Sequence, residues 1–158
     1  MTATTWGEVT RISDTDGDEV ADHYNTLTNN WGYAEYHEYA FGWKPDTEGN
    51  TWVALGLSSS YHSHNLFRDW AVKVTPAGKM IPVCSDLRSP GGVNANVEGV
   101  MFVIESQGPW NGCCSLKHLK PSGFLGHPAS YNWYPFAPKQ EPNGDSHMGI
   151  EKKRQESR

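Results

Sequence analysis

The stretch that decides the fold is a short pattern that occurs twice. Residues 42–53 read GWKPDTEGNTWV, and residues 92–103 read GVNANVEGVMFV. Both begin with Gly, reach Glu-Gly six residues later, and end on an aromatic residue followed by Val. A turn built on Asp or Asn and Gly, between two short apolar and β-branched runs, is typical of a β-hairpin. The pattern therefore predicts two equivalent hairpins, 50 residues apart.

Three further segments have the same character. Residues 71–83, AVKVTPAGKMIPV, predict a hairpin that turns at residues 76–79. Residues 8–24, EVTRISDTDGDEVADHY, predict two strands on either side of an Asp-rich turn. Residues 115–119, SLKHL, predict the start of another hairpin before Pro121-Ser122-Gly123.

The repeat favours an all-β fold of the β-propeller type. Two hairpins per roughly 50 residues match a four-stranded propeller blade, while a β-sandwich with strands every 8–12 residues is the alternative. A propeller needs about four or more blades to close, and 158 residues hold only about two and a half to three. We therefore expect a partial propeller with long loops, and either a fragment or a chain that assembles with copies of itself.

Composition narrows the class of protein. The chain has 13 Lys and Arg against 18 Asp and Glu, a balance that argues against a nucleic-acid surface. No apolar run is long enough for a membrane span, and no signal peptide is visible at the N-terminus. Residues 138–158 are polar and charged, so we expect a disordered tail after a folded segment at 1–137.

The three cysteines do not form a disulfide framework or a zinc motif. Cys113 and Cys114 are adjacent, and the ring that would join them is strained. We expect all three, including Cys84, to be buried or partly buried free thiols.

The Asp-rich turn resembles a calcium loop in part. Asp14, Asp16, Asp18 and Asp22 stand at positions 1, 3, 5 and 9 of such a loop. Position 6 is Glu19 rather than Gly, and position 12 is Asn25 rather than Glu. A weak calcium site and a plain Asp-Gly hairpin turn both remain open.

Histidines and one arginine are candidates for chemistry. His37 stands before a predicted inner strand and could act as a general base, because its pKa lies near neutrality. His62 and His64 could share a face and bind a metal, but no third ligand is identifiable, so a polar loop is the preferred interpretation. Arg88 precedes the second inner strand, where its guanidinium suits a carboxylate.

The segment 105–112, ESQGPWNG, follows that second inner strand. Its Gly and Pro residues offer backbone carbonyls, which a calcium ion accepts as ligands. The spacing alone leaves open whether a metal binds there.

Taken together, LRSPGGV, GVMFVIESQGPWNG and LKHLKPSGFLGHP resemble the soluble pyrroloquinoline-quinone (PQQ) dependent glucose and sorbosone dehydrogenase family, a six-bladed propeller. The likeness covers residues 5–136 and is greatest to planctomycete-type membrane-bound or secreted dehydrogenase-like proteins. These share phrases such as YHEYAFG and VTPxGK. The resemblance implies a PQQ- and calcium-dependent oxidoreductase acting on a sugar or alcohol, in the periplasm or outside the cell.

The resemblance also assigns roles. It implies that His37 takes the proton of the sugar hydroxyl while hydride moves to the quinone. It implies that Arg88 contacts the quinone and that the carbonyls of Gly108 and Pro109 bind calcium. Ser89 stands where the family has Asn, and Gly91 lacks a polar side chain.

Two other functions are open. A non-catalytic module would present Trp31, Trp43, Trp52, Trp110 and Trp133 to a glycan or protein, although packing between blades is the preferred interpretation of these residues. Alternatively, the chain is an inactive fragment with an open sheet edge that invites self-association.

Overall fold

The computed structural model describes residues 1–32, 38–56, 63–107, 113–123, 125, 133, 135 and 136. They form ten β-strands: β1 (Thr2–Thr4), β2 (Val9–Ser13), β3 (His23–Thr28), β4 (Ala40–Pro45), β5 (Thr51–Leu55), β6 (Trp70–Val74), β7 (Met80–Ser85), β8 (Pro90–Ala95), β9 (Met101–Glu105) and β10 (Ser115–His118). All pairings among these strands are antiparallel, so the predicted all-β class is confirmed. Within the described ranges, no helix is long and apolar enough to cross a membrane.

The strands form three sheets, each a simple meander. The first sheet contains β1-β2-β3, the middle sheet β4-β5-β6-β7, and the third sheet β8-β9-β10. Strand β4 lies against β8, and β1 lies against β4, so the middle sheet stands between the other two. The approach of β4 to β8 requires glycine at position 42, where a Cβ would lie 2.7 Å from the backbone nitrogen of Val93.

The sequence repeat is one hairpin built twice. In the β4–β5 turn the N–H of Gly49 donates to the carbonyl of Asp46 (3.1 Å), and in the β8–β9 turn Gly99 donates to Asn96 (3.0 Å). Both glycines have a φ of 80°, which favours glycine. The β6–β7 turn follows the same scheme, since Gly78 donates to Thr75 (2.8 Å). The predicted hairpins at 42–53, 71–83 and 92–103 are therefore confirmed.

The two remaining predicted hairpins differ in outcome. Strands β2 and β3 pair across the Asp-rich turn, as predicted. Strand β10 also forms, but the described residues that follow it, up to Leu125, do not pair back with it as a hairpin. Instead, the N–H of Ser122 donates to the carbonyl of Val83 (2.7 Å), and that of Leu125 donates to Ser85 (3.0 Å). The prediction fails there because β7 is an edge strand whose unpaired backbone groups accept this segment.

The apolar core consists of two layers on either side of the middle sheet. Strand β5 is buried on both faces: Trp52 and Ala54 pack toward the third sheet, and Val53 and Leu55 toward the first. Because successive side chains of a strand point to opposite faces, a single strand supplies both layers. Trp31 lies in the layer beside the first sheet. Trp31 and Trp52 are thus packed between sheets, which removes two of the five tryptophans proposed to meet a partner.

The cysteines are only partly as predicted. All three are free thiols. Cys84 is buried in the layer beside the third sheet, and burial raises the pKa of its thiol far above the usual range. Cys113 and Cys114 are exposed, so the prediction of burial is wrong for them. They lie just before β10, where Ser115, the first residue of that strand, is itself only partly covered.

Candidate functional site

Buried charged residues collect at one end of the sheets. This charged end is where β4, β6 and β8 begin and β5, β7 and β9 end, as the pairs Ala40–Leu55, Trp70–Ser85 and Pro90–Glu105 define. The middle and third sheets present it on the same side, because a Cβ at Gly56 would lie 3.1 Å from Pro90. Five charged side chains here are almost fully buried: Glu38, Arg68, Asp69, Asp86 and Glu105. Such groups are rarely buried without partners.

Arg68 joins the first sheet to the middle sheet. Its Nη1 donates to the carbonyl of Tyr39 (3.1 Å), just before β4, and its Nη2 donates to the carbonyl of Gly32 (2.6 Å), after β3. Its Nε lies 3.7 Å from Glu38 Oε2. Burial lowers the pKa of Arg68 to about 10, although Glu38 and Asp69 oppose that shift. Arg68 therefore remains a buried cation at neutral pH.

Glu38 is the partner of that cation and is only partly satisfied. Its Oε2 accepts a hydrogen bond from Asn65 Nδ2 (2.5 Å). Its Oε1 is buried and has no hydrogen-bond partner among the described residues. A buried carboxylate oxygen without a hydrogen-bond donor costs free energy. The attraction between Glu38 and the Arg68 cation offsets that cost.

Two aspartates at this end have unusual backbone conformations. Asp69 has a φ of 64° and Asp86 a φ of 73°, and both are fully buried. Ser89, beside Arg88, also has a positive φ of 42°. Residues other than glycine rarely adopt this region, and they persist there where surrounding structure holds them, often at functional sites.

Arg88 lies at the charged end, in the loop that enters β8. Its backbone N–H donates to Glu105 Oε2 (3.2 Å), and its side chain donates from Nη1 to Ser89 Oγ. The other oxygen of Glu105 pairs with Lys117 and accepts from Ser115 Oγ (3.1 Å). Glu105 is thus neutralised by Lys117, and it holds the backbone rather than the guanidinium of Arg88.

Arg88 is partly exposed, and its guanidinium has no carboxylate partner among the described residues. It consequently offers donors to a ligand that carries a carboxylate. Ser89 contacts the Arg88 side chain.

Three predicted site residues lie outside the described ranges: His37, Gly108 and Pro109. The described residues beside them are Glu38, which lies before β4, and Gln107, which follows β9. Both of these neighbours belong to the charged end, as Arg88 does. His62 and Trp110 also fall outside the described residues, and His64 is exposed.

The Asp-rich turn brings three of its four predicted carboxylates together. Ligand atoms of Asp14, Asp16 and Asp18 lie within 4.8 Å of one another, and all three residues are exposed. Such oxygen donors fit a hard cation such as calcium. Asp22 does not join them, because its carboxylate accepts hydrogen bonds from the N–H (2.9 Å) and the hydroxyl of Thr15.

The cluster is already supported by its own backbone. Asp14 accepts hydrogen bonds from Gly17 N–H (2.7 Å) and Glu19 N–H (2.9 Å). The first of these is the main cause that lowers the pKa of Asp14. The pKa of Asp22 is lowered chiefly by the Thr15 hydroxyl. The carboxylates of Asp14 and Asp22 are therefore ionised at neutral pH.

The structure separates the two predicted sites. Gly32, which follows the first sheet, lies at the charged end beside Arg68. Earlier in that sheet, Leu27 meets Gly78 and Arg11 donates to the carbonyl of Pro76 (2.7 Å), both at the β6–β7 turn. The Asp-rich turn joins the end of β2 to the start of β3, farther along the first sheet than these two contacts. It therefore lies at the end opposite Arg88.

Sequence reasoning missed Arg68, Asp69 and Asp86. Their signal was weak but visible, since each stands just before or after a predicted strand and next to an apolar residue. Loop residues at strand ends carry function more often than residues inside strands. A charged residue flanked by Phe67 and Trp70 is a candidate for burial on that ground.

Comparison with known proteins adds no assignment. No protein-family model matches the chain, and no curated protein matches it significantly.

Proposed function

We propose that this chain is part of a PQQ- and calcium-dependent sugar dehydrogenase of the β-propeller type, and that the charged end is its cofactor-binding end. The observation that carries the proposal is Arg88, a partly exposed residue whose guanidinium has no carboxylate partner among the described residues. The stacking of three antiparallel meanders, two of them opening with the same hairpin, is consistent with about three propeller blades.

The proposed chemistry assigns separate tasks to the residues. When bound, the quinone with its calcium ion would accept hydride from the substrate. Arg88 would hold a carboxylate of the quinone, and Glu105 would fix the Arg88 backbone through the 3.2 Å hydrogen bond. His37 would take the proton of the sugar or alcohol hydroxyl, and the carbonyls of Gly108 and Pro109 would bind calcium. Asp14, Asp16 and Asp18 would hold a second, weaker calcium at the opposite end.

Cofactor binding can be tested by titrating the full chain with PQQ in calcium buffer and following the quinone absorbance. We expect Arg88→Ala to weaken binding on the order of tenfold or more, because a hydrogen bond to a charged group is lost. Arg11→Ala is the matched control, since Arg11 is an exposed arginine near the β6–β7 turn. Absence of PQQ binding, or equal binding by the two variants, would overturn the assignment of Arg88.

The role of His37 needs a second measurement. We expect His37→Ala to retain PQQ binding and to lose dye-linked oxidation of aldoses. Unchanged activity in that variant would remove His37 as the base. Loss of PQQ binding in it would show that the residue acts on the cofactor instead.

A further inference from the structure

The outer face of the third sheet exposes apolar side chains. This face carries Phe102 and Ile104 on β9, their cross-strand partners His118 and Leu116 on β10, and Asn94 and Gly92 on β8. Ile104 is 58% exposed and Leu116 is 66% exposed. The opposite face of the same sheet, with Met101 and Val103, packs on the middle sheet.

The sequence repeat relates this face to a face of the middle sheet that another sheet covers. At an offset of 50 residues, Phe102 and Ile104 correspond to Trp52 and Ala54. Trp52 and Ala54 are buried, because the third sheet covers them. Their equivalents occupy the same place in the repeat and have no sheet over them within the described residues.

The glycines of β4 and β8 support the same equivalence between the two sheets. A Cβ at Gly42 would collide with Val93 and Gly92 of the neighbouring strand β8. Gly92 is the repeat equivalent of Gly42, and a Cβ there would meet nothing within 4 Å. The outer face of the third sheet is thus equivalent to the face of the middle sheet that the third sheet covers.

The first sheet presents its own outer face at the other side of the chain, where Thr10 and Thr26 donate to the Glu8 carboxylate (2.6 and 3.1 Å). On the first sheet, Val9 packs toward the middle sheet, and Arg11 reaches its β6–β7 turn. The cross-strand pair Ile12–Tyr24 has the opposite parity to Arg11, so it lies on the outer face of the first sheet. Tyr24 is 64% exposed. Among the described sheets, these two are the outer faces.

We infer that the outer face of the third sheet receives the outer face of the first sheet of a second copy, head to tail. The contact continues the stacking seen within one chain, where the middle sheet covers the first sheet and the third sheet covers the middle sheet. It joins two different surfaces, so it is heterologous rather than two-fold symmetric. Three strands of about five residues span only a few hundred Å², well below the roughly 800 Å² per partner of a standard interface, so the association is weak.

The experiment is sedimentation equilibrium of the full chain over a wide concentration range. The wild-type chain is expected to associate reversibly at high micromolar concentration. Leu116→Lys and Tyr24→Lys should each reduce that association at least tenfold, because each places a charge in one of the two faces. Val97→Lys is the control, since Val97 is an exposed residue of the β8–β9 turn, away from both faces. Circular dichroism checks that each variant keeps its strands.

Mixing the variants gives the sharpest test. The Leu116→Lys chain retains an intact first sheet and the Tyr24→Lys chain an intact third sheet, so an equimolar mixture should form dimers that neither variant forms alone. A wild-type chain that stays monomeric throughout would overturn the inference. So would association that Leu116→Lys abolishes and Tyr24→Lys leaves unchanged, because that result indicates third sheets stacking on each other.

Discussion

The two ends of the sheets are stabilised by contacts of very different range. At the turn end, Asp46, Thr75 and Asn96 each close a turn through hydrogen bonds to residues at most four positions away. At the charged end, Arg68 bonds to carbonyls 29 and 36 residues away. The turn closures are therefore set by local sequence, although Arg11 also reaches Pro76 from the first sheet (2.7 Å). The charged end depends on contacts between sheets and forms only when the sheets have come together. A ligand that binds at the charged end would therefore stabilise contacts between sheets.

The largest expected effect comes from breaking that long-range contact. Arg68→Ala should lower the free energy of unfolding by about 3–5 kcal/mol, because it leaves the Glu38 carboxylate buried without its cation. Urea denaturation measures the change. Lys73→Ala is the comparison, since the Lys73–Glu48 pair is wide (4.0 Å) and Glu48 is exposed. Lys73 also lies over the Trp52 ring (5.9 Å), so its loss should cost about 1 kcal/mol or less.

A double variant distinguishes charge from packing at Arg68. Arg68→Met combined with Glu38→Leu should be more stable than Arg68→Ala alone, because no unpaired charge remains. If both variants were equally unstable, packing and the two carbonyl hydrogen bonds would account for the role of Arg68, and the ion pair would not.

Glycine turns give the next effect and test the other end. Gly78→Ala should destabilise the protein by about 2–3 kcal/mol, because φ is 84° and the new Cβ would lie 2.3 Å from the carbonyl oxygen of Leu27. Gly99→Ala has the same backbone strain (φ 80°), but its nearest neighbour is Thr47 at 3.8 Å, so about 1 kcal/mol is expected. Thermal unfolding followed by circular dichroism compares them. Equal losses would mean that the first sheet does not pack on the β6–β7 turn.

Much of the turn end was predictable from sequence, whereas the charged end was not. Asp46 and Asn96 stand at the same place in the repeat, and both close the predicted turn. The burial of Arg68 depends on Gly32 and Tyr39, whose separation in sequence follows no local period. The pairing of residues 122–125 with β7 likewise joins segments about 40 residues apart. Patterns of spacing find hairpins, because a hairpin's partners are neighbours in sequence.

The β4–β5 and β8–β9 turns should differ, by a smaller amount, in how their stability depends on pH. Burial raises the pKa of Asp46, but hydrogen bonds from Asn50 and Trp52 lower it by more, so the pKa lies below its usual value of 3.8. The stability from ionised Asp46 is therefore complete above the unfolded pKa and lost as pH falls through the folded one. Asp46→Asn should flatten the stability curve below about pH 4–5.

The reciprocal change at the third sheet completes that test. Asn96→Asp should add acid dependence at the equivalent turn, because the same backbone N–H groups of Glu98 and Val100 would then bond to a titrating carboxylate. Urea midpoints measured from pH 2 to 7 give both results. An unchanged acid limb in Asp46→Asn would contradict the role given to Asp46.

The smallest expected effect concerns calcium at the Asp-rich turn. Millimolar calcium should raise the melting temperature by about 1–3 °C, since a ligand that binds only the folded state stabilises it. Asp16→Asn should remove that gain, while Asp22→Asn should retain most of it because Asp22 binds Thr15 instead. A gain of equal size in both variants would place the calcium elsewhere.

The most direct test of the account locates the quinone on the molecule. Amide chemical shifts of the isotopically labelled chain can be followed while PQQ is added in calcium buffer. We expect shifts at Arg88, Ser89, Glu105 and Ser106, with the three turns at the opposite end unchanged. Shifts concentrated at those turns or at the Asp-rich turn, or no saturable shifts at all, would contradict the assignment of the charged end as the cofactor site.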